Sequence, residues 1–163
     1  MGSRPNEDSE VEAIASEIIN LIEKDYLYII GSGTTIQTIM KKLGLANTLL
    51  GIDAIYNFKL VGSDLNENQI LTLMKGKKTK TIVTIIGGQG YIFGRGNQQI
   101  SSKVIKKVGK ENILVVGTKN KIISLRNKSL LVDTGEEKTN QMLSVYIKVI
   151  TGINERMLVK VDY

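Results

Sequence analysis

Residues 85–100 read IIGGQGYIFGRGNQQI, and the predicted elements on either side are arranged around them. The stretch holds five glycines between positions 87 and 96, after an apolar run and before a helical pattern. Glycine loses more conformational freedom on folding than other residues, so a packed domain concentrates it where φ is positive or where the backbone approaches another group closely. A ligand that carries phosphates would explain the stretch, and a plain tight turn is the alternative.

The composition indicates one folded domain. The chain has 163 residues, 42% of them hydrophobic, which fits a single domain, and we expect a frayed tail over residues 1–8 and an α/β domain over 9–163. No apolar run reaches the roughly 18–20 residues that a membrane span needs, and the N-terminus lacks the apolar core of a signal peptide. A cytoplasmic location is therefore expected. Abundant Ile and Lys without Cys is also the direction that thermophile proteins take.

Cys, His and Trp are absent, and this limits the chemistry of the chain. Disulfides, thiolate nucleophiles, imidazole bases and the common zinc sites are excluded. Any acid–base chemistry would fall to Asp, Glu, Lys or Tyr. We assign no catalytic residue and no metal site to the chain.

The net charge of +6 comes mostly from lysine. A basic domain attracts phosphorylated metabolites as well as nucleic acid. The densest cluster, Lys75, Lys77, Lys78 and Lys80, is expected to be a solvated loop, because a nucleic-acid site would need aromatic residues among the lysines. Nucleic acid is therefore not the expected partner, and no membrane is expected either.

The first elements follow from local patterns. Ser9 and Glu12 match a capping box and would start an amphipathic helix that ends near Asp25. Residues 26–30 form a continuous apolar run, typical of a strand buried on both faces. The helix that follows should end at Gly44, a natural residue for a left-handed C-terminal cap.

The remaining pattern alternates strands with helices. Strands are predicted at residues 48–52, 58–61, 80–86, 112–117, 130–132, 146–150 and 157–161. Helices are predicted after the capping residues Asn66 with Gln69, Ser101 or Ser102, and Thr134 with Glu137, and a short helix is predicted over residues 119–125. This alternation favours an α/β fold, a mostly parallel sheet flanked by helices, with antiparallel pairing of the last two strands at an edge. In such sheets, ligands bind beyond the carboxyl ends of the strands.

The first candidate site is the turn after the first strand, Gly31-Ser32-Gly33-Thr34-Thr35. Its glycines let the backbone approach an anion, and its hydroxyls can donate to phosphate oxygens. The sequence matches neither a P-loop nor Gly-x-Gly-x-x-Gly. The alternative is a strand–helix turn in which Thr34 or Thr35 is the N-cap.

The second candidate site is the opening stretch itself. Arg95 lies between two glycines and could make a forked contact with phosphate or carboxylate, and the amides after it could contact a base or a ribose. Asp53 and Asp133, each at the end of an apolar run, are further candidates that could equally cap turns. The predicted binding residues of the stretch are Gly87, Gly88, Gln89, Gly90, Gly94, Arg95, Gly96, Asn97, Gln98 and Gln99.

With these residues in view, the chain resembles the C-terminal half of the archaeal and bacterial ATP-NAD kinase-like proteins, a group related to NAD kinases and to the acetoin-catabolism protein X. The resemblance runs from the first helix to Thr151-Gly152. It is carried by IGSGTT at residues 30–35, GGQGYIFGRGNQQIS at 87–101 and YIKVITG at 146–152. It implies a nucleotide- or phosphate-binding domain, with NAD(P) or ATP as the ligand.

One departure from the family bears on catalysis. Its members carry a Gly-Gly-Asp-Gly-Thr motif in an N-terminal domain, where NAD kinases handle ATP phosphates and supply the catalytic Asp. This sequence has no such motif, and Gln89 offers an amide in place of that carboxylate. We therefore expect a fragment, a subunit or a lone domain without kinase turnover, whose partner is an N-terminal catalytic domain or subunit.

Two alternatives remain open. The chain could be an assembly module that docks against a catalytic domain and against itself as a homo-oligomer. It could also be a phosphosugar-sensing domain, since it is loosely similar to the ribose-5-phosphate isomerase and sugar-regulator fold. Isomerase activity itself is not expected, because Ile86 and Gly94-Arg95-Gly96 stand where that family needs a Lys and a Glu.

Overall fold

The computed structural model describes residues 5–163, with side chains from Glu7 onward. Over this range the helices are α1 Pro5–Leu21, α2 Thr34–Leu43, α3 Glu67–Met74, α4 Ser102–Val108, α5 Lys119–Ile123 and α6 Glu137–Leu143. The strands are β1 Tyr26–Ile30, β2 Asp53–Tyr56, β3 Lys59–Gly62, β4 Lys78–Thr84, β5 Tyr91–Phe93, β6 Ile113–Val116, β7 Leu130–Val132, β8 Val145–Gly152 and β9 Glu155–Asp162. None of the helices in this range is long and apolar enough to cross a membrane.

All of these strands join one sheet in the order β3-β2-β1-β4-β6-β8-β9-β7-β5. Five neighbouring pairs are parallel and three are antiparallel. The predicted α/β fold with a mostly parallel sheet is confirmed. Antiparallel pairs with β2 form one edge. The last two strands also pair antiparallel but lie inside the sheet, because β9 pairs with β7 on its other side.

The sheet separates two apolar cores, and β1 contributes to both. Tyr28 and Ile30 pack on one face with residues of α1 and α2. Leu27 and Ile29 pack on the other face with residues of α3, α4 and the β5–β7–β9 limb. Side chains alternate between the faces of a strand, so a strand covered on both sides needs a continuous apolar run. This is why YLYII reads as a buried strand.

The first helix differs from the prediction at both ends. It begins at Pro5, so Ser9 and Glu12 lie inside it and the predicted capping box is wrong. Proline suits the first helical turn, where its missing N–H would have no partner. Residues 5–8 of the predicted tail belong to this helix, and residues 1–4 lie outside the described part. The helix ends at Leu21, before Asp25, whose φ of 66° is left-handed.

Two further local predictions were wrong. Residues 48–52 are a loop rather than a strand, because the Asp53 carboxylate accepts hydrogen bonds from Thr48 N, Thr48 Oγ1 and Asp64 N at 2.6, 2.5 and 3.0 Å. Thr134 does not cap α6, whose N-cap is Glu136. The Thr134 hydroxyl bonds to Asn140 instead.

A buried ion pair ties α1 to the sheet. Glu17 on α1 is 4% exposed, and Arg156 on β9 donates to its carboxylate at 2.8 Å. A buried charge that loses its partner is costly, whereas removal of both charges often costs little.

We expect Arg156→Ala to lower the free energy of unfolding by about 3 kcal/mol, because the Glu17 carboxylate is left buried without its cation. The double variant Glu17→Leu with Arg156→Met should lose less. Urea unfolding of both variants measures this. An unchanged midpoint for Arg156→Ala would show that the ion pair does not hold α1 in place.

Candidate functional site

Three neighbouring parallel strands end at the same edge of the sheet. β1, β4 and β6 end at Ile30, Thr84 and Val116, and β4 pairs with both of the others. Each strand continues into a loop at this edge. The ends of such strands form the usual ligand crevice of an α/β sheet.

The turn after β1 leads into α2 without a side-chain cap. Gly33 is the N-cap of α2, with φ 127° and ψ 167°, and no side chain of the described residues caps the helix. The alternative in which Thr34 or Thr35 is the N-cap is therefore wrong. Gly33 is also required by packing, because a Cβ there would lie 2.7 Å from Thr84 Cγ2. The first N–H groups of α2 have no acceptor within the helix, and the helix dipole is positive at this end.

Two adjoining clefts open at this edge. The first has a volume of about 420 Å³ and the second about 360 Å³, and both are walled by Thr34, Thr84 and Ile85. The predicted residues Thr35 in the first cleft, and Ser32, Gly33 and Gly87 in the second, complete part of their walls. The structure thus brings the turn at residues 31–35 together with the start of the second glycine stretch.

The two clefts differ in charge. Glu7, Asp8 and Lys121 line the first cleft. The second cleft has no charged lining residue among those described, and Leu49 and Leu50, 65% and 77% exposed, form its outer wall.

Several lining residues were missed from the sequence. Thr84, Gly117, Thr118 and Lys121 belong to the first cleft. Gly117-Thr118 follows β6 as Gly31-Ser32 follows β1, and this repeated strand–glycine–hydroxyl pattern could have revealed it. The Thr118 hydroxyl accepts a hydrogen bond from Lys121 N at 3.1 Å and caps α5.

Residues 86–91 form a small hairpin. Ile86 and Tyr91 exchange two backbone hydrogen bonds of 2.7 and 3.1 Å, which also explains why Tyr91 starts the unpredicted short strand β5. Within the turn, Gly90 has a positive φ and packs against Leu125. Gly88 does not have a positive φ, and no atom lies within 4 Å of the position its Cβ would take. Neither the backbone nor internal packing therefore requires glycine at the exposed position 88.

Arg95 belongs to a neighbouring group beside the clefts. Its Nε lies 3.8 Å from Asp133 Oδ2, and its guanidinium lies 4.7 Å from the centre of the Tyr91 ring. Both charged side chains are more than half exposed. Arg95 lines neither cleft. Ile86 connects this group to the second cleft, because it lines that cleft and its side chain lies beside Gly96.

Two predicted binding residues have roles inside the fold. Asn97 is 1% exposed; its Nδ2 donates to Ile92 O at 2.9 Å and its Oδ1 accepts from Gly94 N at 3.2 Å. Asp53 is 2% exposed and ties the loop at residues 48–52 to Asp64 through the three bonds given above. Ligand contacts by Asn97 and Asp53 stay predictions, as do those by Gln89, Gln98 and Gln99.

A further carboxylate lies next to this edge. Glu155 accepts a hydrogen bond from the buried Thr151 hydroxyl at 2.8 Å and pairs with Lys119 Nζ at 3.1 Å. These two partners hold the pKa of the Glu155 carboxyl below its ordinary value of 4.5. The group is therefore charged at neutral pH and offsets the Lys119 cation beside the first cleft.

These features define an α/β domain with open clefts at the carboxyl ends of its central parallel strands. A sequence profile described as the ATP-NAD kinase C-terminal domain matches residues 23–161. The chain belongs to this family, and the resemblance inferred from its motifs is confirmed. The comparisons found no matching curated protein and no matching solved structure.

Gly94 and Gly88 should respond in opposite ways to alanine. A Cβ at Gly94, where φ is 92°, would overlap the Asp133 carbonyl oxygen, so we expect Gly94→Ala to cost about 3 kcal/mol. Gly88→Ala should change stability by no more than about 0.5 kcal/mol. Urea unfolding tests both. Equal losses would show that the hairpin tip is packed in solution.

The lowered pKa of Glu155 predicts a pH-dependent contribution to stability. A lowered folded-state pKa stabilises the fold at neutral pH, and this stabilisation is lost as the pH falls through the folded-state pKa. Glu155→Gln should therefore lower the urea midpoint at pH 7, and the difference from wild type should shrink below pH 4.5. Glu111→Gln, which removes an exposed acid from no described ion pair, is the control. A constant difference across this range would contradict the assignment.

Proposed function

We propose that this domain binds a nucleotide, NAD(P) or ATP, through phosphates held at the N-terminus of α2. The observation that carries the proposal is that this uncapped helix end opens onto both clefts, which meet at Thr34, Thr84 and Ile85. Free backbone N–H groups and the positive end of a helix dipole together favour an anion. The Ser32 and Thr34 hydroxyls supply further donors.

The pairing of clefts favours a dinucleotide over ATP. A pyrophosphate at the shared wall would leave one nucleoside for each cleft. The acidic wall of Glu7 and Asp8 suits hydroxyl donors of a ribose and disfavours phosphate. The apolar wall of Leu49, Leu50 and Ile86 suits the face of a base. A single triphosphate would have to extend toward the carboxylates, where it would be repelled.

The hairpin tip supports close approach of a ligand or a partner domain. Gly88 leaves open space that a side chain would fill, although nothing within the fold requires it to be glycine. Gln89 beside it offers an amide, which cannot accept a proton as a catalytic carboxylate does. We propose that phosphoryl transfer requires an N-terminal domain or subunit that supplies that acid.

Ligand-induced thermal stabilisation tests the proposal. A single site at 100-fold excess over Kd contributes about 2.7 kcal/mol, which corresponds to roughly 5–10 °C in Tm for a domain of this size. We expect NAD or NADP at millimolar concentration to raise Tm more than ATP or ribose 5-phosphate does. If none of the four raises Tm, the domain alone has no competent site.

One substitution separates binding from folding. Thr34→Asp places a negative charge at the start of α2, where it suits the helix dipole but repels phosphate. We expect the variant to fold as stably as wild type and to lose its response to NAD. Thr72→Asp on α3 makes the same charge change away from the clefts and should keep the response. A full response in Thr34→Asp would exclude α2 as the phosphate site.

Substitution of Arg95 and a comparison of ligands test the two alternatives, an assembly module and a phosphosugar sensor. Arg95→Ala, with the exposed Arg126→Ala as its control, is examined by Tm shift and by analytical ultracentrifugation. A changed oligomeric state with an unchanged NAD response would favour an assembly role for this loop. A larger response of the wild-type protein to ribose 5-phosphate than to NAD would favour a phosphosugar sensor.

A further inference from the structure

A second cleft system lies at the opposite end of the sheet, where β1 and β4 begin. Its volume is about 440 Å³, and its polar lining is dominated by Lys75, Lys77, Lys78 and Lys107. No acidic residue lines it among residues 7–163. Because the strands run about 16 Å from one end to the other, this basic cleft is separate from the clefts beside α2.

The four lysines of the basic cleft have no acidic partner in the described part of the chain, in contrast to Lys42, Lys106 and Lys119. Seven ion pairs are present among the described residues, and none includes a lysine of the basic cleft. All 16 acidic residues of the chain lie in the described part, since residues 1–6 contain none. The fold therefore concentrates four like charges and leaves their neutralisation to solvent or to a ligand.

Helix ends explain only part of this cluster. Lys77 Nζ donates to the Leu73 carbonyl at 3.1 Å, and Lys75 and Lys107 lie at the C-terminal ends of α3 and α4, where cations suit the helix dipole. Lys78 has no such role, because it begins β4. The helix dipole also does not explain why the C-terminal ends of α3 and α4 and the start of β4 lie at the same cleft.

The fold supplies the aromatic side chains that the lysine-rich segment lacks in sequence. Parallel pairing of β1 with β4 sets Tyr26 opposite Lys78, and the Lys78 ammonium lies 5.7 Å from the Tyr26 ring centre. Tyr26 is part of the cleft wall. On β2, the ring of Tyr56 lies 5.8 Å from Lys77 Nζ. The expectation against nucleic acid was based on the absence of such rings.

We propose that the basic cleft binds single-stranded nucleic acid. Lys75, Lys78 and Lys107 would contact successive phosphates, and an unpaired base would stack on Tyr26. A lysine-lined groove with an aromatic ring in its wall is the usual combination for a single strand, and stacking on the ring requires an unpaired base. Tyr26 is half-buried, and the Lys80 ammonium also lies 4.8 Å from its ring centre. This site is independent of the nucleotide site beside α2.

The test is fluorescence anisotropy of a labelled 12-nucleotide oligouridine between 50 and 300 mM salt. The double variant Lys75→Gln with Lys107→Gln should weaken binding at least tenfold at the lowest salt. It should also reduce the slope of log K against log salt by about 1.4, since each phosphate contact contributes about 0.7 for a single strand. Tyr26→Leu should weaken binding roughly tenfold with little change in slope.

The matched control is Lys41→Gln with Lys148→Gln, which lowers the net charge equally and removes two exposed lysines from no described ion pair. Far-UV circular dichroism and Tm of each variant establish that it is folded. An equal loss in the control variant would show a nonspecific effect of charge and would overturn the proposal. Equally tight binding of a duplex of the same length would overturn it as well. So would displacement of the oligonucleotide by micromolar ATP, because the cleft would then be a mononucleotide site.

Discussion

Parallel pairing of β1, β4 and β6 is the constraint on which the rest of the structure depends. These strands are covered on both faces, so their backbone hydrogen bonds must be satisfied within the sheet. Their buried side chains are mostly apolar on both sides, and the buried Thr81 hydroxyl donates to the Ile29 carbonyl. Parallel strands also place all their carboxyl ends at one edge and their amino ends at the other. The glycine turns meet at the first edge, and the lysines of the basic cleft lie at the second.

Close backbone approach then shapes the loops at the carboxyl edge. Gly33 fits against Thr84, and Gly94 fits against the Asp133 carbonyl, so these glycines serve the fold. Gly88 has neither constraint. A glycine-rich stretch can therefore combine positions that the fold requires with one that it does not, and only the latter points to something outside the chain.

Membership of the ATP-NAD kinase C-terminal domain family is consistent with a glycine stretch of which the fold requires only some positions. The proposed nucleotide site depends on α2, whose free N–H groups need no side chain to attract a phosphate. The buried polar residues Asp53 and Asn97 line neither cleft and hold neighbouring loops by hydrogen bonds within the chain. Our proposal that another domain or subunit supplies the reacting acid is consistent with the amide at Gln89.

The sequence by itself determined the fold class, most strands and helices, the two glycine turns and the family, because these depend on local patterns: apolar runs, capping residues and contiguous motifs. It did not reveal contacts that a distant partner decides. Asp53 and Asn97 are predicted ligand residues, and the structure adds hydrogen bonds between their side chains and Thr48, Asp64, Ile92 and Gly94. Thr118 and Lys121 joined the first cleft only through the pairing of β6 with β4. Likewise, Tyr26 and Lys78 are far apart in sequence and meet only because strand register places them side by side. Tertiary structure alone decided which polar groups are used within the fold and which remain for a ligand, because hydrogen-bond partners and strand register join residues that no local pattern connects.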